Sequence, residues 1–138
     1  MELKEVSVDE VIENFEFLED WEQKYMYLID LGKMIPEFDL NKKTNENLIE
    51  GCTSKVWIYN SLDNDKIHFE ADSESQIVKG LVALLLILYN DKSSKEILEI
   101  DSEEYFKKLE LEAHLSGNRA NGLRSMLQRI RKEAEIAA

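Results

Sequence analysis

Apolar residues recur at helical spacing near the start of the chain. Val8, Val11, Ile12, Phe15 and Leu18 fall on one face, with acidic and polar residues between them. Ser7 and Glu10 have the spacing of a capping box, and Val6 and Val11 that of a hydrophobic staple, so a helix is predicted from Val8. A second helix is predicted from Asp20, turning Trp21, Tyr25, Leu28 and Ile29 inward. Gly32 is expected to cap its C-terminus, and Pro36, the only proline, to keep it from continuing. Asp39 to Asn47 has few apolar groups and reads as a loop leading through Leu48-Ile49 to Gly51-Cys52.

The period then changes. Val56-Trp57-Ile58-Tyr59 alternates β-branched and aromatic residues, Ser61 to Asp65 is a turn cluster, and Ile67 to Ala71 alternates again. The two runs predict a hairpin, with Leu48-Ile49 as a third strand. Ser73 and Gln76 are expected to cap a helix over residues 74–89. Its interior (Ile77, Val78, Leu81, Val82, Leu84, Leu85, Leu88) is apolar on nearly every side, which marks it as the central core helix. Two short helices follow, capped by Ser93 with Glu96 and by Asp101 with Glu104. A last helix is predicted from Arg119 to Glu135, with Leu123, Met126, Leu127, Ile130 and Ala134 on one face. Strands flanked by runs of helices, without repeated βαβ units, predict an α+β fold with a small antiparallel sheet of about three strands. At 138 residues, with neither repeat nor linker, the expectation is one domain over residues 1–138.

Composition narrows the function classes. A net charge of −12 repels nucleic-acid phosphates and favours basic partners. The longest apolar run, Leu81–Tyr89, has nine residues, too few for a membrane span. The opening residues lack the basic start and apolar run of a secretory signal, and with one cysteine the expected setting is the reducing cytoplasm. One cysteine and two histidines suit neither a cysteine-ligated zinc nor an iron–sulfur site, so no metal is expected.

Cys52 lies in Gly51-Cys52-Thr53-Ser54, four small residues between a loop and a strand. Thr53, Ser54 and free N–H groups can hydrogen-bond a thiolate, and Lys55 adds positive charge, a setting that lowers a thiol pKa. The alternative is an inert cysteine acting as a small hydrophobe in a structural adaptor. A cysteine hydrolase with His68 or His114 as base is the other chemistry these residues allow. All four arginines fall in the last helix, and Arg119 stands at its predicted start, where a cation opposes the helix dipole.

Four segments together resemble the SufE family of sulfur-acceptor proteins: Asp20 through Tyr25 to Pro36, Gly51 through Trp57, Ala71 through Leu81, and His114 through Leu123. They occur in the family's order and cover nearly the whole chain. Thr53 stands where the family commonly has Gln, and Gly117-Asn118 replace a frequent Pro-Ser. The resemblance implies an IscU-like α+β fold and a persulfide carrier rather than an independent enzyme. Cys52 is then the residue that takes sulfur from a PLP-dependent cysteine desulfurase of the SufS or CsdA type, stimulates it, and passes sulfur to a SufBCD-type iron–sulfur scaffold. A paralogous route such as tRNA modification is the variant of this reading. The PLP belongs to the desulfurase, so the chain itself needs no cofactor. Arg119 and His114 are the expected site-shaping residues. Asp72, Ser73 and Glu74 are the expected docking residues, and the chain is expected as a monomer or weak homodimer that binds neither nucleic acid nor membrane.

Overall fold

The computed structural model describes residues 2–51 and 54–138. A single 3-10 turn, Leu3–Glu5, precedes α1 (Val8–Phe17) and α2 (Trp21–Lys33); a second, Leu40–Lys42, precedes β1 (Val56–Asp63) and β2 (Lys66–Ser73). The remaining elements are α3 (Gln76–Tyr89), β3 (Lys92–Ser93), α4 (Ser94–Glu99), α5 (Ser102–Lys108), α6 (Leu111–His114) and α7 (Gly117–Ala137). The result is an α+β fold with a three-stranded antiparallel sheet in the order β1-β2-β3.

Ser7, Asp20, Ser93 and Asp101 cap α1, α2, α4 and α5 through side-chain oxygens that accept backbone N–H groups, as their spacing predicts. Other expectations need correction. The strands run on through Ser61 to Asp63, because Asn64 and Asp65 alone, both at positive φ, form the two-residue turn that matches strand twist. The third strand is Lys92–Ser93, added to β2. Leu48 makes only an isolated bridge to Trp57 on the opposite edge of the sheet. The cap of α3 is Ser75, whose Oγ accepts from the Val78 N–H at 3.4 Å; Ser73 is buried at the end of β2.

Helix α3 is buried on almost every side and carries the core, with the sheet's inner residues Ile58, Ile67, Phe69 and Ala71 packed in the same cluster. Gly32 does not cap α2. It lies inside the helix, where a Cβ would stand 2.8 Å from the Gly80 nitrogen; a Cβ on Gly80 would stand 2.4 Å from the Leu28 carbonyl oxygen. Two glycines therefore let the backbones of α2 and α3 approach at their crossing, and the obstructing atoms are main chain that cannot rotate away.

On the outer face of the sheet the Lys42 ammonium sits 3.8 Å from the Tyr59 ring centre and that of Lys43 4.7 Å from the Trp57 ring centre. Asp72, opposite Trp57, pairs with Lys43 at 3.0 Å and Lys79 at 3.4 Å, tying the 40s segment and α3 to β2. Burial works to raise the Asp72 pKa. The Lys43 hydrogen bond, the Ser73 N–H and the lysine charges outweigh it and hold the carboxyl below its ordinary 3.8.

Gly80→Ala is expected to cost about 1–3 kcal/mol, read from the urea midpoint, because no side chain can yield at the crossing. Gly117→Ala, which meets nothing within 4 Å, serves as the control and should leave stability unchanged or slightly raised. Asp72 contributes stability that is complete above its unfolded pKa and is lost as the pH falls through its lower folded value. Asp72→Asn should therefore cost about 1 kcal/mol at neutral pH and nothing once the wild-type carboxyl is protonated, as urea melts across acid pH will measure.

Candidate functional site

Cys52 and Thr53 lie outside the described residues; the residues on either side of them define the site. The Ile49 N–H donates to the Val56 carbonyl at 2.9 Å, and Ile58 N–H to Asn47 carbonyl at 2.9 Å, so the chain leaves and rejoins the sheet edge at one place. The Lys55 carbonyl accepts from the buried Ser73 hydroxyl at 2.9 Å and from the Glu74 N–H at 3.2 Å, fixing the return limb. Gly51, at φ 89°, makes the turn at the outgoing limb, in the left-handed region that glycine adopts without strain.

At the foot of this loop is a pocket of about 300 Å³. Val78, Leu81 and Met126 give it an apolar floor, and Ser54, Ser75, Ser116, Asn118 and Arg119 its polar wall. The sequence brings these groups together through two helix starts. Ser75 begins α3, and Ser116, whose Oγ accepts from the Arg119 N–H at 3.3 Å, begins α7. Each start carries the positive end of a helix dipole. Helix α7 therefore begins two residues before its predicted start, and Gly117 and Asn118 belong to its first turn. Arg119 lines the pocket and forms no ion pair among the described residues, whereas Arg124 pairs with Glu112 and Arg129 with Glu133. In a chain of net charge −12 the pocket is a local concentration of positive potential, suited to an anionic sulfur or another small anion.

Other predicted residues fall at varying distances from this centre. His114 is on the neighbouring α6, its ring stacked on Trp21 with centroids 4.2 Å apart and its carbonyl accepting from the Tyr25 hydroxyl; it does not line the pocket. It holds α2 against the approach to α7. Asp72 is occupied by its two lysines and Ser73 is buried with its hydroxyl on the Lys55 carbonyl, while Glu74 is exposed. His68 is opposite Ser61, five residues along β1 from Val56, and hydrogen-bonds Asp91 at 2.8 Å. At about 3.4 Å per strand residue it is roughly 17 Å from the loop foot. Thus neither imidazole lines the pocket. The residue reading missed Ser75, Ser116 and Asn118. Ser116 was the findable one, since a serine before Gly-Asn-Arg and an apolar periodic run is an N-cap signal.

Comparison with known proteins agrees with this architecture. A family model described as SufE, Fe-S metabolism associated domain, matches residues 9–134. An uncharacterized SufE-like protein of Rhizobium etli is 46% identical over 136 residues, covering 96% of this chain and 92% of the relative. The cysteine desulfuration protein SufE of Wigglesworthia glossinidia brevipalpis is 44% identical over 124 residues, covering 89% of this chain and 86% of that one. The solution structure of a hypothetical protein from Thermus thermophilus shares the fold at a TM-score of 0.76, with 17% identity and 94% of each chain covered. Among the described residues no helix is long and apolar enough to cross a membrane. With the family model spanning most of its length, the chain belongs to the SufE family, associated with iron–sulfur metabolism.

Proposed function

We propose that this protein is a sulfur carrier: Cys52 accepts sulfane sulfur from a PLP-dependent cysteine desulfurase, stimulates that enzyme by clearing its persulfide, and delivers the sulfur to the iron–sulfur assembly machinery. The observation that carries this reading is the electropositive pocket at the foot of the Gly51–Ser54 loop, where Arg119 meets two helix starts. A thiolate at position 52 attacks the outer sulfur of the donor's persulfide. A sulfur–sulfur bond forms on Cys52 as the donor's own breaks, and the donor leaves as a thiolate, so no external oxidant or reductant is consumed. Cations and N–H dipoles beside the loop favour the thiolate before transfer and the persulfide anion after it. The apolar floor of Val78, Leu81 and Met126 limits the water and competing thiols that would discharge it. The PLP chemistry belongs to the donor, so the carrier's own residues need only hold, shield and release sulfur.

Cys52→Ser should fold with an unaltered urea midpoint, acquire no sulfur when incubated with a cysteine desulfurase and L-cysteine, and fail to raise the rate of alanine release. Sulfur found on the Cys52→Ser variant by mass spectrometry, or undiminished stimulation, overturns the reading. Arg119→Gln should slow alkylation of Cys52 at neutral pH several-fold, measured with iodoacetamide, with Arg119→Lys recovering part of the rate.

A further inference from the structure

One edge of the sheet is covered over only half its length. Strand β1 is an edge strand, and residues 47–49 shield its first half, with the Ile49 N–H on the Val56 carbonyl and the Ile58 N–H on the Asn47 carbonyl. Hydrogen-bonding direction alternates along a strand. Since the Ile58 N–H points away from β2, the N–H and C=O groups of Asn60 and Leu62 do so too, and they meet no partner among the described residues. The Leu62 side chain is 61% exposed, although it falls on the face that Val56 and Ile58 bury. On the opposite, outer face stand Asp63 and Tyr59, with the Lys42 ammonium 3.8 Å from the Tyr59 ring centre. Neither Lys42 nor Asp63 forms an ion pair among the described residues. An open edge with an exposed apolar side chain is a template for a further strand.

We propose that a second copy of this chain supplies that strand, β1 lying antiparallel to β1 about a two-fold axis at Ser61. Asn60 then faces Leu62 of the second copy, and Leu62 faces its Asn60, so each pair exchanges both N–H···O bonds and the open positions are filled. Residues directly opposite share a face, which sets Asp63 of the second copy against Tyr59 and beside the Lys42 ammonium, and the reverse across the axis. The two Leu62 side chains become diagonal neighbours on the other face. Asn47 already occupies Ile58, so the ladder ends at Tyr59 and its register is fixed. The contact is far smaller than a permanent dimer requires, and two chains of charge −12 repel at long range; the association is therefore weak. Val56 is five residues from Ser61, which puts the two Val56 residues roughly 34 Å apart along the joined strands. The pairing thus lies away from the pocket, and it does not rest on the sulfur-carrier reading.

The test is sedimentation of the full chain in about 0.15 M salt, which screens charges farther apart than about 8 Å while leaving contact pairs attractive. Self-association with a dissociation constant of about 0.1–1 mM is expected; a chain still monomeric at about 1 mM overturns the proposal. Leu62→Pro removes an N–H that β2 does not use and should weaken the association about tenfold. Association of unchanged strength in Leu62→Pro overturns the assignment to this edge. Lys42→Glu and Asp63→Lys each place like charges at both crossings and should weaken self-association about fivefold. An equimolar mixture of these two variants sets opposite charges at both crossings and should associate at least as well as the wild type. A mixture no stronger than its components overturns the proposal even if Leu62→Pro fails to fold. Hydrogen exchange supplies the last arm: the Asn60 and Leu62 amides should become protected as the chain is concentrated. Protection that appears only on adding a lysine-rich strand peptide overturns self-pairing in favour of a foreign strand.

Discussion

Helix α3 is apolar on almost every side, and covering it dictates where the other elements lie. The sheet takes one side, α2 another through the glycine crossing, and α7 a third. Each fully buried leucine contributes about 1.5–3 kcal/mol when removed from water, so a displaced neighbour would expose several such groups at once. The functional geometry is a consequence of this packing. Because the start of α3 is fixed at the end of β2, and α7 must lie along α3, two helix starts converge on the same corner of the sheet. The loop that carries Cys52 leaves β1 at that corner.

Charge adds a second constraint. Residues 1–22 contain nine acids and one lysine, and the chain as a whole is strongly acidic. Arg124, Arg129 and Arg131 tie α7 to α6, to the Glu46 carbonyl and to the Leu98 carbonyl, so they act as fasteners between elements. Arg119 has no such task. A cation in the first turn of a helix is disfavoured by the dipole, and no carboxylate offsets it among the described residues. On the sulfur-carrier reading, an anionic sulfur received at the pocket would supply the missing compensation. At long range the same protein presents an acidic field, which steers basic surfaces towards it. The two signs act over different distances and do not cancel, since salt screens the distant field more than the sheltered pocket.

Much of the fold was legible because its signals are local. Ser7, Asp20, Ser93 and Asp101 each precede an apolar periodic run and each caps a helix. The misreadings arose where a tertiary contact decides the outcome. Gly32 near the end of an apolar run looks like a C-cap, but the requirement that fixes it is Gly80, far away in sequence. Ser73 and Ser75 both stand before α3; burial beneath Lys55 takes the first, leaving the second as the cap. Leu48-Ile49 and Lys92-Ser93 are equally short, and only the path of the chain after α3 decides which extends the sheet. At the site, Cys52 and Arg119 stood out by residue type and position. Ser75 and Asn118 are ordinary polar residues that reach the pocket by convergence, which no spacing along the chain reveals.

On the sulfur-carrier reading, the hairpin places the segment that contains Cys52 at one end of a rigid core. Its turn end carries the His68–Asp91 pair and β3, while its open end carries the loop. At the open end, hydrogen bonds from Ile49 to Val56 and from Ser73 and Glu74 to Lys55 close a frame around a few residues. Loop closure costs little for so short a segment once its ends are held, and the frame's stability comes from the strands and α3, not from the loop. A carrier that must shelter a reactive sulfur and then surrender it needs this separation, because a residue bound into the core could move only by partial unfolding.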